Sequence, residues 1–156
     1  MKNGTPAPAS RLFLNALARL LTAAVAACLL QFPAQASPLS SGDEQGVRAV
    51  VEGQLVALAN DDASKAFSFA APNVRQAVGT APRFMAMVRA SYPALYRPAS
   101  SAFLKPDGHD DQAIQRVQIV GADGSTWLAI YSLQRQKNKA WRITGCKVVA
   151  SKDRMA

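Results

Sequence analysis

The apolar positions of the chain change period once, near its middle. Between Asp43 and Tyr92 they recur at helical spacing, and beyond Pro98 they alternate. Val47, Val50, Val51, Leu55 and Leu58 form the stripe of a first predicted helix, with Gln54 its one polar intruder. Asp43 and Glu44 fall in the first turn of that helix, where carboxylates complement the helix dipole. The run Asn60, Asp61, Asp62 ends it and caps a second helix, whose Ala66, Phe67 and Ala70 make a shorter stripe. Pro72 opens a third, short segment closed by Gly79. Thr80 caps a fourth, with Pro82 in its first turn and Phe84, Met87 and Val88 on one face.

Past Pro98 the alternation predicts four strands, at residues 100–105, 112–120, 126–135 and 140–150. The links between them, "PDGHDD", "GADGS" and "QKNK", are turn chemistry, with Asp107-Gly108 and Asp123-Gly124 the strongest hairpin signals. Links this short make neighbouring strands antiparallel. Strict alternation puts Trp127, Ala129, Tyr131 and Leu133 on one face and Leu128 and Ile130 on the other. In the last strand it sets Trp141, Ile143 and Val149 opposite Cys146 and Val148. The expected fold class is α+β, with N-terminal helices packed on a curved four-stranded antiparallel meander and a conical space between the layers.

The first 36 residues read as a cleaved secretory signal. Arg11 and Arg19 lie in a basic n-region, "LLTAAVAACLLQF" is an uncharged run of h-region length, and "AQA" puts small residues before a cut between Ala36 and Ser37. The run falls short of the roughly 18 to 20 residues of a membrane-spanning helix. A competing reading takes "VAAC" as a lipobox that would anchor the chain through an acylated Cys28; the apolar "LLQF" that follows is a poor tether. The domain plan is thus a signal over residues 1–36, a flexible lead-in over 37–42 and one α+β domain over 43–156. The expected location is the periplasm or the exterior.

Charge and cysteines then narrow the functional classes. Loss of Lys2, Arg11 and Arg19 with the signal would lower the formal charge from +8 to +5. The remaining bases are scattered, which fits a basic surface and argues against a nucleic-acid interface. Cys146 would be left as the lone cysteine, so no intramolecular disulfide is expected. His109, the one histidine, sits among Asp107, Asp110 and Asp111 without a second histidine or cysteine to complete a metal site. The same scarcity excludes Ser-His-Asp and Cys-His arrangements outside a tight turn, and no phosphate-cradling glycine loop is present. No catalytic residue, metal or cofactor is predicted.

The closing stretch "WLAIYSLQRQKNKAWRITGCKVV" resembles the last hairpin of the nuclear transport factor two-like superfamily. Residues 61–98, "DDASKAFSFAAPNVRQAVGTAPRFMAMVRASYPALYRP", resemble the signature of a bacterial envelope family catalogued as domain of unknown function 4864. The positions carrying that likeness are Asp61, Asp62, Ala66, Phe67, Pro72, Val74, Arg75, Gly79, Thr80, Phe84, Met87, Val88, Arg89, Tyr92, Pro93, Arg97 and Pro98. The chain departs from the pattern at Val78, where an aromatic is common, and at Tyr96, where tryptophan is common. The superfamily resemblance implies pocket chemistry in an apolar cone, with a wall carboxylate and a tyrosine opposite where such proteins are isomerases or hydratases.

Candidate pocket residues are therefore Asp62, Tyr92, Tyr96, Arg97, Trp127 and Tyr131. Each also has a structural reading: Asp62 as a helix cap, Trp127 and Tyr131 as core, Tyr92 and Tyr96 as packing at the helix-to-sheet junction. Pro93 and Pro98 make "SYPALYRPAS" an elbow, and Arg97 offers a guanidinium to a carboxylate of the protein or of a ligand. The leading expectation is a non-enzymatic protein that binds a small ligand or an envelope protein. The alternatives are a small-molecule isomerase or hydratase, and an assembly factor working as a homodimer through its sheet.

Overall fold

The stripe Val47, Val51, Leu55 and Leu58 is buried along helix α1 (Ser41–Ala59), which starts where the Ser40 hydroxyl accepts the Asp43 amide at 3.1 Å. The computed structural model describes residues 37–151; the expected signal over residues 1–36 and the alternative anchor at Cys28 lie outside the described part. Gln54 is buried with the stripe, and its Nε2 donates to the Ala66 carbonyl at 3.2 Å. The polar intruder thus ties α1 to helix α2 (Ala63–Ser68). Helices α3 (Pro72–Val78) and α4 (Ala81–Ser91) follow, each with proline in its first turn. A single turn, α5 (Pro93–Tyr96), forms the elbow.

Strands β1 (Ser100–Phe103), β2 (Asp107–His109), β3 (Gln112–Val120), β4 (Thr126–Arg135) and β5 (Trp141–Ala150) make an open antiparallel sheet in the order β1-β3-β4-β5, with β2 also on β3. The architecture is α+β, but the sheet has five strands where four were expected. The additional strand comes from "PDGHDD": Asp107, Gly108 and His109 pair with Ile114, Ala113 and Gln112, and only Asp110 and Asp111 turn. A Cβ on Gly108 would sit 2.3 Å from the Gln112 carbonyl oxygen, so glycine there lets the backbones close into a ladder. Asp110 takes the left-handed conformation that the tight turn needs, at φ +52°. β1 and β2 lie against opposite halves of β3, forming one edge interrupted at residues 104–106. Pro106, with no N–H to donate, stands in that break.

The last strand departs from strict alternation. Pairing passes from Ser132–Gly145 to Leu133–Ile143, so Thr144 is an extra residue in β5. The bulge sets Cys146 opposite Tyr131 and Val148 opposite Ala129, on the same side as Ile143. Cys146 and Val148 accordingly pack against the core with Trp141 and Ile143 instead of facing away from them.

Helices and sheet are fastened at two places. The chain between α2 and α3 runs parallel to β5 for one bridge, with the Ala71 amide donating to the Ile143 carbonyl at 2.8 Å and the Ile143 amide to that of Phe69 at 2.9 Å. At the start of α1, the Asp43 carboxylate accepts from Arg135 Nη1 at 3.0 Å and Trp141 Nε1 at 3.1 Å. Ahead of the helix, Ser37 accepts the Asp110 amide at 3.1 Å and Pro38 bridges to His109. No helix among the described residues is long and apolar enough to cross a membrane.

Candidate ligand cavity

Between the helices and the inner face of β4 and β5 lies a cavity of about 310 Å³. Its walls are Gln54 and Leu58 of α1, Val74 and Val78 of α3, and Phe84, Met87 and Val88 of α4. The elbow closes one side with Tyr92 and Leu95, and Tyr131, Ile143 and Cys146 form the floor. Local sequence explains each placement. Proline at the start of α3 and α4 fixes their entry angles, the prolines of the elbow turn Tyr92 and Leu95 inward, and the Thr144 bulge brings Cys146 onto the floor. Among the described residues that line it there is no aspartate, glutamate, lysine, arginine or histidine.

The floor is polar but neutral. Tyr131 is 1% exposed; its hydroxyl lies close enough to the Cys146 thiol for the two to shift each other, but no group among the described residues meets it in full hydrogen-bond geometry. Its cross-strand neighbours are Gln115 on β3 and Cys146 on β5. Gln115 is fully buried; its Nε2 donates to the carbonyls of Leu104 at 2.7 Å and Arg116 at 2.9 Å, while its Oε1 has no partner. Burial raises the Tyr131 phenol well above its usual range and pushes the Cys146 thiol up to about 12. Both stay protonated at neutral pH, so the thiol is a weak nucleophile there.

The other sequence candidates lie elsewhere. Asp62 caps α2, accepting the Lys65 amide at 2.9 Å. Tyr96 and Arg97 converge on its neighbour Asp61, which sequence reasoning passed over. The Tyr96 hydroxyl and Arg97 Nη2 both donate to the Asp61 carboxylate, and Arg89 Nη2 joins them at 2.5 Å. Arg97 Nε also reaches the Ala59 carbonyl at 3.3 Å. The guanidinium carbons of Arg89 and Arg97 lie 4.9 and 5.0 Å from the centre of the Tyr96 ring. Asp61 holds the left-handed conformation at φ +57°, which a short polar side chain tolerates. The Tyr96 hydroxyl first, then Arg89, keep the Asp61 carboxyl below its ordinary pKa. A carboxylate-tyrosine pair thus exists, but it clamps the elbow to the end of α1 at the surface. Trp127 is half-buried, donates from Nε1 to Ser125 Oγ at 2.8 Å and lines a separate shallow groove with Arg97.

A larger depression of about 590 Å³ runs beside β2, past Asn73, His109, Gln112 and Gln134. No buried polar atom among the described residues is left unpartnered there. No group of three histidine, cysteine or acidic residues among the described residues is placed to hold a metal.

The model of the family described as "Domain of unknown function (DUF4864)" matches residues 40–156. The chain belongs to the DUF4864 family. No curated protein and no solved structure matches it. Within this DUF4864 domain, residues 61–98 supply every member of the Asp61 clamp together with the α3, α4 and elbow walls of the cavity. The clamp was hidden in sequence because its ion pairs join residues 28 and 36 apart. The one local sign was an aspartate placed directly after a helix end, where left-handed backbone is common.

Proposed function

We propose that the DUF4864 domain holds a small, uncharged, mostly apolar molecule between its helices and sheet. The observation that carries this reading is the apolar lining of the 310 Å³ cavity, free of ionised side chains. Burial of a ligand's apolar surface there contributes about 25 cal/mol per Å² before the cost of immobilising it. The arrangement is similar to the conical interior of the nuclear transport factor two-like superfamily, with the bulged β5 forming part of its floor. An isomerase or hydratase would need a carboxylate facing the tyrosine inside. Asp61 lies outside the lining and is committed to Arg89, Arg97 and Tyr96, which favours binding over catalysis. A dimer through the outer sheet face would have to cover Arg116 and Lys147, which flank Ile130 there, so a solvated face is the better fit. The binding role is assigned to the exported chain starting at Ser37.

A neutral fluorescent probe, N-phenyl-1-naphthylamine, tests the reading. Its emission should rise on mixing with the wild-type protein and fall back in Val74→Trp, which fills the cavity from α3. Equal emission with both proteins would place the probe elsewhere and overturn the proposal. Mass spectrometry of the protein recovered gently from its cell envelope should show a chain beginning at Ser37 with a discrete added mass.

A further inference from the structure

We infer that the face of α3 and α4 around Met87 docks on an anionic lipid bilayer, with the mouth of the cavity against the membrane. The inference rests on the binding role proposed above and names where the ligand is exchanged: at a bilayer surface.

Charge is unevenly spread along the chain. Residues 63–106 contain no aspartate or glutamate, yet carry Lys65, Arg75, Arg83, Arg89, Arg97 and Lys105. That segment builds α2, α3, α4, the elbow and β1. Arg89 and Arg97 pair with Asp61, and Lys105 pairs with Glu44 at 3.3 Å. Lys65, Arg75 and Arg83 are exposed, and among the described residues no carboxylate pairs with them. A basic surface without its own counter-ions attracts an anionic one.

An apolar opening lies in the same region. Val56, Met87 and Leu104 are the large apolar side chains exposed among the described residues, and of these Met87, 39% exposed, lines the cavity. On α3, Val74 and Val78 line it while only half-buried, and no residue of that helix is fully buried. These three side chains therefore form the rim. Arg83 stands one turn before Met87 on α4, and Arg75 follows Val74 on α3, so both helices carry a cation next to the rim.

Cations beside an exposed apolar rim suit a bilayer interface, where arginine stems lie along the apolar layer and their heads meet lipid phosphates. A second copy of the chain would set like charge against like charge. A nucleic acid would offer phosphates but leave Met87 and the valines against a polar backbone. Phe84, the aromatic residue of these two helices, is 7% exposed and cannot stack on a base. An apolar ligand partitions into a membrane, so a mouth seated there spares it a passage through water.

Flotation of the exported protein with vesicles tests the docking. It should bind vesicles of phosphatidylethanolamine and phosphatidylglycerol, ignore those of phosphatidylcholine, and be released by added salt. Arg75→Gln with Arg83→Gln should weaken binding about twentyfold or more, about fivefold for each charge. The same double variant should bind N-phenyl-1-naphthylamine in solution as the wild type does. Arg116→Gln with Lys147→Gln, an equal loss of charge on the outer sheet face, should leave vesicle binding within about twofold. An environment-sensitive dye on Ala86→Cys, in a Cys146→Ala background, should brighten when anionic vesicles are added. No binding to anionic vesicles, or equal binding to both kinds, would overturn the inference and leave the cavity proposal standing. Equal losses in the two double variants would also overturn it, since net charge alone would then explain adsorption. Tighter binding to soluble poly-L-glutamate than to vesicles would reassign the face to an acidic protein and overturn the membrane. Failure of N-phenyl-1-naphthylamine to bind would remove the binding role first, whatever the vesicles show.

Discussion

Tyr96 and Tyr131 are the same side chain under opposite terms. The Tyr96 ring lies between two guanidinium groups with its hydroxyl on the Asp61 carboxylate, at a surface where water competes for every one of those bonds. Tyr131 lies where water does not reach, and its hydroxyl has only the Cys146 thiol beside it, a weak partner outside full hydrogen-bond geometry. Exposed ion pairs are weak because solvent screens them, whereas an unmet buried donor is costly. Among the described residues the fold therefore satisfies its polar groups where satisfaction counts for little and leaves two, the Tyr131 hydroxyl and Gln115 Oε1, without a good partner where it counts for much.

That contrast can be broken most forcefully at Leu58, which is 1% exposed and lines the cavity. Leu58→Ala should lower stability by about 2–5 kcal/mol in urea unfolding, because the wall is already next to empty space and gains another void. A loss below about 1 kcal/mol would mean that the helices collapse onto the sheet and the cavity is not held open. Tyr131→Phe should act in the other direction, raising the stability of the ligand-free protein by about 1 kcal/mol or more as the unpaired hydroxyl is removed. Tyr96→Phe should have the opposite sign and the smaller size, since it deletes a bond that exists. Matching signs for the two tyrosines would erase the distinction between them.

The smallest effect belongs to the clamp. The Asp61 carboxyl is held below its ordinary pKa by the Tyr96 hydroxyl and Arg89, so its contribution is complete above the unfolded-state value of about 3.9 and is lost as pH falls through the folded one. Asp61→Asn removes the titration and keeps a residue tolerant of positive φ. Thermal midpoints of wild type and variant should differ by a constant amount above about pH 5 and converge on further acidification. A gap that widens in acid would show that Asp61 is not the ionised centre of the cluster.

Much of the scaffold is legible in the spacing of apolar residues. β3 and β4 occupy the residues that alternation predicts, and the valine and leucine stripe of α1 is the buried one. What escapes are features in which one residue shifts the pattern. The Thr144 bulge leaves the composition of β5 strand-like while exchanging the sides of Cys146 and Val148. β2 hides in "PDGHDD" because Gly108, a turn residue by habit, serves there to let two backbones approach. At the site, Tyr92 and Tyr131 reach the cavity, whereas Tyr96 and Arg97 meet Asp61, which differs from Asp62 only in position. Strand alternation indicates on which face Tyr131 lies; it carries no information about whether its hydroxyl finds a partner, which depends on three strands meeting in register.

The interruption of the β1–β2 edge at residues 104–106, and the parallel bridge of residues 69–71 with β5 at Ile143, have a bearing on how the sheet meets other chains. An uninterrupted strand edge is a template on which a second chain can add and a fibril can grow. Here one border of the sheet is broken beside Pro106, and the other is occupied at Ile143 by the protein's own backbone. These two borders deny neighbouring copies a continuous place to dock.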